Sequence, residues 1–140
     1  MSILVDTGAW YAVADRSDRH HRAAAAFYKQ CGPGGELVTT DLVLGETFAL
    51  LSSHIGRSAA LQFWETIRNA QIPVICSQPV DIEAAWRIIR AFPDQDFSFV
   101  DCTTFAVMER SGIHEAFAFD SQFLVYRFGV RKQQSFRRLP

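Results

Sequence analysis

Four carboxylates stand in this chain where a lone charge is costly. Asp6 closes the apolar run Ile3-Leu4-Val5, and Glu46 interrupts the run from Leu42 to Leu51. Asp101 follows Phe99-Val100, and Asp120 closes Ala116-Phe117-Ala118-Phe119. Burying an unpaired carboxylate costs several kcal/mol, so such a group ionises only beside a partner. None of the four has a Lys or Arg within four positions along the chain. Two kinds of partner remain: a basic side chain distant in sequence, or a metal ion on which the acids converge. An all-oxygen donor set suits Mg²⁺ or Mn²⁺. Such ions acidify bound water and offset developing negative charge.

Each acid alone has a plainer reading. A strand-end Asp is commonly a turn or cap residue. Asp101 lies three residues after Ser98 and so completes a capping box. Glu46 alone pairs readily with a remote Arg. The set is more telling than its members, and the elements that carry it say why.

The hydrophobic pattern alternates short apolar runs with helical stripes. Strands are predicted over 2–5, 37–39, 73–76 and 116–119, with a further edge strand over 130–136. Thr7 is read as capping a helix over 8–14, and Asp18 or Ser17 as capping a helix through Cys31 that the Gly-rich stretch 32–35 stops. Asp41 is read as capping a helix to about Ile55, which Gly56 breaks. A helix from Ser58 carries Leu61, Phe63, Trp64 and Ile67. Pro79 opens a helix whose inward face is read as Ile82, Ala85, Trp86 and Ile89. Residues 92–97 form a loop, Ser98 caps the helix 99–111, Gly112 closes it, and 120–126 is a short helix.

Strands alternating with helices indicate an α/β fold with a central, mainly parallel sheet of four or five strands. Ligands of such sheets gather beyond the carboxyl ends of the strands. Asp6 and Asp120 fall there. Asp101 sits in a first helical turn, where the dipole favours an anion. Glu46 falls on the inward stripe of its helix, between Leu42 and Leu50. The four acids can therefore meet at one end of the sheet.

Composition bounds the rest. The 140 residues, nearly half apolar and with twelve Phe, are enough for one domain with a real core and argue against disorder. A net charge of −1 argues against a protein that coats DNA indiscriminately, though basic residues crowd both ends of the chain. Cys31, Cys76 and Cys102 show no metal or redox spacing and read as thiols of a reducing compartment. With no leader-like start and no membrane-length apolar run, the expected location is the cytoplasm.

The ordered motifs Ile3-Leu4-Val5-Asp6-Thr7, Glu46 in its helix, Asp96-Phe97-Ser98-Phe99-Val100-Asp101-Cys102 and Ala118-Phe119-Asp120-Ser121-Gln122-Phe123 resemble those of PIN-domain ribonucleases, close to the VapC-type toxins of type II toxin–antitoxin pairs. The resemblance runs the length of the chain and implies one PIN domain over 1–140 with a three-layer α/β/α sandwich. It implies that Asp6, Glu46, Asp101 and Asp120 are the catalytic, metal-binding acids, with Asp6 and Asp101 the most direct ligands and Mg²⁺ or Mn²⁺ the cofactor. Thr7 matches the hydroxyl residue beside the first acid; Thr7, Ser98 and Asp96 are candidate supporting residues. Gly8 departs from the small polar residue often found next. The implied reaction is endoribonucleolytic hydrolysis leaving a 5′-phosphate and a 3′-hydroxyl. The implied partners are an RNA (tRNA, rRNA or mRNA), a cognate antitoxin and a second copy of the chain, with no membrane.

Rival readings are an RNA-processing PIN nuclease without an antitoxin and a catalytically silent PIN-fold module that holds a basic peptide. His20 and His21 could polarise a phosphate, but adjacent histidines at a helix start are more commonly solvated. Ser98 and Ser121 lack a histidine spaced to act as base. Cys102 reads as a core residue. The large apolar residues over 42–55 and 61–67, Trp64 among them, are read as a groove for an antitoxin helix, or else as core or dimer contact.

Overall fold

The structure is a computed structural model that describes the backbone of residues 1–140 and every side chain except that of Val130. Five strands, β1 (Ile3–Val5), β2 (Leu37–Thr40), β3 (Val74–Ile75), β4 (Glu115–Phe117) and β5 (Arg137–Leu139), form one sheet in the order β3-β2-β1-β4-β5. All four pairings are parallel. The register sets Leu4 beside both Val38 and Ala116. β1 and β2 are buried along their whole length, as strands covered on both faces must be.

Successive strand residues face opposite ways, and the two cores follow that alternation. Ile3, Val5, Leu37 and Phe117 pack with Trp10, Val43, Leu51, Phe63 and Ile67. These come from α1 (Thr7–Ala14), α3 (Asp41–His54) and α4 (Arg57–Asn69), with Ala24 of α2 (His21–Cys31) beside them. Leu4, Val38, Ala116 and Ala118 pack instead with Ala85, Ile88, Phe105, Met108 and Phe123. Those belong to α5 (Pro79–Ala91), α6 (Phe99–Ser111) and α7 (Gln122–Val125). The layers are therefore helix, sheet, helix, as the alternation of elements predicts.

Several local expectations need correction. Thr7 is not a cap but the first residue of α1, with Asp6 in the cap position. The cap of α3 is Thr40, whose hydroxyl accepts from Val43 N at 3.0 Å. Asp41 accepts instead from the backbone and hydroxyl of Ser77, at 3.0 and 2.8 Å, and so ties α3 to the chain entering α5. The edge strand lies at 137–139, not 130–136; a single 3-10 turn, Val130–Lys132, stands in its place.

The largest difference is the rotation of α5. Its buried residues are Asp81, Ala85 and Ile88, while Ile82, Trp86 and Ile89 face outward. The stripe that looks most apolar in sequence is the wrong one. Asp81 is drawn inward by Arg110 of α6, whose Nε and Nη2 donate to its two oxygens at 2.7 and 2.9 Å. A buried carboxylate is tolerated only with such a partner, and once it points in, the helix phase is fixed.

Candidate active site

Asp6 follows directly on β1. Its backbone N–H donates to Phe117 O at 3.0 Å, and its carbonyl accepts from Ala9 N and Trp10 N at 3.1 and 3.0 Å. The residue thus continues the sheet on one side and starts α1 on the other, which leaves little freedom in where its side chain lies. Behind it, Trp10 Nε1 donates to Thr39 Oγ1 at 3.1 Å, and Thr39 Oγ1 donates to Val5 O at 3.3 Å. This buried chain locks α1 and β2 around the strand end.

Asp101 is held by the capping box that its spacing predicts. Ser98 N donates to its Oδ2 at 2.9 Å, and its own N–H donates to Ser98 Oγ at 3.0 Å. The plain reading and the functional one therefore both apply: one oxygen serves the cap and Oδ1 is left for other work. Asp120 lies just beyond β4, and Glu46 projects half-buried from the middle of α3.

These four acids line one concavity of about 470 Å³, shared with Thr7, Gly8, Tyr11, Asp18, Arg19, His20, Leu50, His54 and Phe119. Asp96 and Ser98 are not in its lining. Ser98 acts through the cap on Asp101. Asp96 is exposed and bears on the pocket through its charge, which adds to the upward shift of Asp101.

The electrostatics are those of a site short of positive charge. Asp6 is only 3% exposed. Burial, then the charges of Asp120 and Asp101, push its pKa up to about 8, with Glu46 adding to the shift and the Thr7 backbone N–H opposing it. Burial likewise raises Asp101. It raises Asp120 too, helped by Asp101 and opposed by Arg138. Carboxylates that crowd each other in this way hold protons unless a cation joins them.

The donors fit a hard divalent ion. Asp120 Oδ1 and Thr7 Oγ1 are buried without a hydrogen-bond partner among the described residues. Buried oxygens of this kind call for a ligand or a structural reason, and the four carboxylates of the same lining offer only oxygen, the donor type that Mg²⁺ and Mn²⁺ take. Among the described residues no three His, Cys, Asp or Glu side chains are already closed around an ion-sized point.

The two histidines at the start of α2 carry more structure than their sequence context suggests. His20 is half-buried and lies flat on Phe119, with centroids 4.4 Å apart and 6° between the planes. His21 turns away and its Nδ1 is 2.7 Å from Ala12 O. Neither is simply solvated, because the turn 15–18 folds the start of α2 back over α1. Opposite, Tyr11 and His54 meet edge to face, with the hydroxyl 3.3 Å from Nδ1. This pair is 43 residues apart in sequence, and no local pattern marks it.

Residues 3–129 match the PIN domain family. The chain is 35% identical over 122 residues to the 23S rRNA-specific endonuclease VapC20 of Mycobacterium tuberculosis, covering 86% of this chain and 91% of that protein. It superposes on the crystal structure of that protein, described as a sarcin-ricin loop cleaving toxin, with a TM-score of 0.79 at 33% identity over 86% of this chain and 91% of the other. It is also similar in fold to PAE2754 from Pyrobaculum aerophilum, with a TM-score of 0.61 at 20% identity over 99% of this chain and 83% of that one.

Proposed function

The chain belongs to the PIN domain family, and from that premise we propose that it is a metal-dependent endoribonuclease, the toxin of a type II toxin–antitoxin pair. The observation that carries the reading is the convergence of Asp6, Glu46, Asp101 and Asp120 on one pocket at the carboxyl end of β1 and β4. The likeness to an rRNA-cleaving toxin across most of both chains makes a ribosomal RNA loop the favoured substrate class.

In the proposed mechanism Mg²⁺ or Mn²⁺ supplies acidification of the attacking water and neutralisation of charge on the phosphorane. Asp6, Asp101, Asp120 and Glu46 would hold the ion, with Asp6 and Asp101 the expected principal ligands. The capping box fixes one oxygen of Asp101 and so aims the other. The Trp10–Thr39–Val5 chain keeps the strand end that bears Asp6 from yielding. The site forms on the rims of rigid elements, which is what precise positioning of reacting groups needs.

Residues 1–140 are proposed to form one folding unit; the pairing of the C-terminal β5 with β4, next to the N-terminal β1, supports this. No helix among the described residues is long and apolar enough to cross a membrane, and a cytoplasmic site of action fits a toxin that cuts RNA. A second copy of the chain is the proposed occupant of the outward stripe of α5. A cognate antitoxin is the proposed occupant of the α3–α4 face near Trp64.

The test is cleavage of a ribosomal-loop RNA by purified protein with Mn²⁺, with excess chelator, and with Asp6→Asn or Asp101→Asn. The reading requires loss of at least about a hundredfold in each of the last three. Undiminished cleavage by Asp6→Asn in chelator overturns it. Binding of the RNA without any cleavage would favour the silent-module reading.

A further inference from the structure

We propose that His20, laid flat on Phe119 at the rim of the acid pocket, seats the substrate by stacking a base of single-stranded RNA beside the scissile phosphate. The inference rests on the ribonuclease reading and adds how the substrate is held.

The pair is built into the fold. The His20 backbone N–H donates to Asp18 Oδ1 at 2.8 Å, and its carbonyl accepts from Ala24 N at 2.9 Å. Phe119 precedes Asp120, and its ring meets that of the buried Phe117 edge to face at 6.0 Å. Its carbonyl accepts from Arg138 Nη1 at 3.0 Å. A rigid aromatic column therefore runs from the core through Phe119 to His20, and ends at the pocket mouth beside Asp120.

The chemistry of the pocket explains why such a column is useful. Its lining holds four carboxylates and one Arg, so the protein itself offers the RNA backbone few direct contacts. A base offers a neutral π-face that an aromatic ring can take up next to those acids. The other aromatic groups of the rim are less free to serve. Tyr11 and His54 engage each other. Arg19, exposed beside His20, is placed to meet the adjoining phosphate.

The test uses the full chain, Mn²⁺ and the ribosomal-loop RNA of the cleavage test, carrying 2-aminopurine in its single-stranded loop. His20→Ala should raise KM by about tenfold and leave kcat within about twofold, the size expected when one base loses its aromatic partner. His20→Phe keeps the ring and should restore KM. His20→Leu keeps bulk on Phe119 without a π-face and should behave as His20→Ala. Binding should quench 2-aminopurine in the wild type and in His20→Phe but not in His20→Leu, a readout that a merely structural role would not move. Where His20→Ala fails to fold, the Leu and Phe pair decides. Equal KM in the Leu and Phe variants, or a fall in kcat with KM unmoved, overturns the proposal. Wild-type protein that cuts no RNA overturns the ribonuclease reading itself; cleavage with a KM indifferent to residue 20 overturns only this inference.

Discussion

Arg138 reaches Asp120 through the main chain and not through the carboxylate: its Nη1 lies 3.3 Å from the Asp120 carbonyl and 3.0 Å from that of Phe119. Among the described residues this guanidinium fixes the backbone of the acid-bearing segment, while Asp120 Oδ1 stays buried and unpartnered. Its charge still counts. Burial and Asp101 push Asp120 up, and Arg138 pulls it down.

Removing that guanidinium should therefore act twice. Arg138→Ala should lower kcat by about tenfold or more, since small displacements of a positioned group are costly. The pKa of Asp120, already raised, should rise further, so the acidic limb of the pH–activity profile should move to higher pH. Arg138→Lys should recover the charge but not the position of Nη1 between the two carbonyls, restoring the limb more than the rate. Profiles of kcat against pH for the three proteins check both halves.

The acid cluster should weaken the metal-free fold. The Asp6 carboxyl sits at about 8 in the folded protein against an ordinary 3.8. Below the lower value both states are protonated and there is no penalty. Between the two, the unfolded chain has released the proton and the folded one has not, so stability falls as pH rises; above about 8 the penalty is full. In chelator, Asp6→Asn should melt above wild type at pH 8, with the gain vanishing near pH 4. Asp120→Asn should show a smaller gain of the same sign. Both should gain less than wild type from Mn²⁺. Thermal melts across pH, with and without Mn²⁺, give the answer; equal melting in chelator and equal gains with metal count against a shared site.

How much of this was legible in the sequence varies by residue. The Ser98–Asp101 box could be read because its signal is local: both partners lie within one helical turn. Strand-end Asp6 and Asp120 could be read because an apolar run that stops at an acid is a one-dimensional pattern. The parallel sheet followed from the alternation of elements. The phase of α5 could not be read, because it depends on Arg110, 29 residues from Asp81. Hydrophobicity alone prefers Trp86 inside. The cap of α3 was misplaced by one residue because Thr40 and Asp41 are both good caps, and only the contact of Asp41 with Ser77 separates them. The His20–Phe119 stack joins residues nearly a hundred positions apart in the chain, beyond any local rule.

The Asp81–Arg110 pair should be a stability element with no part in catalysis. Asp81 also accepts from Gln78 N at 2.8 Å. The Arg110 hydrogen bonds hold its pKa below the ordinary value, against the effect of burial. A depressed folded pKa contributes stability above the unfolded value, and this is lost as pH falls through the folded one. Asp81→Asn should cost about 3 kcal/mol near neutral pH. The gap to wild type should close below the usual carboxylate range. Activity per folded molecule should be kept. Urea melts at pH 7 and pH 3, with cleavage rates at 20 °C, check it.

Two exposed tryptophans should separate the two proposed protein partners. Trp64 on α4 is 44% exposed and meets Phe48 of α3 edge to face at 5.9 Å. Trp86 on α5 is 59% exposed, with the Arg90 guanidinium 5.4 Å from its ring centre. They lie on helices that cover opposite faces of the sheet. Exposed anchors of this type carry a large share of binding energy when a partner covers them. Trp64→Glu should weaken antitoxin binding by about a hundredfold or more. It should leave the sedimentation behaviour of the free protein and its Mn²⁺ response unchanged. Trp86→Glu should do the reverse, shifting the protein to monomer at micromolar concentration. Each variant thus controls for the other. Loss of Mn²⁺ response in Trp64→Glu would mean that its side chain supports the core, and unchanged antitoxin affinity in a folded Trp64→Glu would remove the groove from the α3–α4 face.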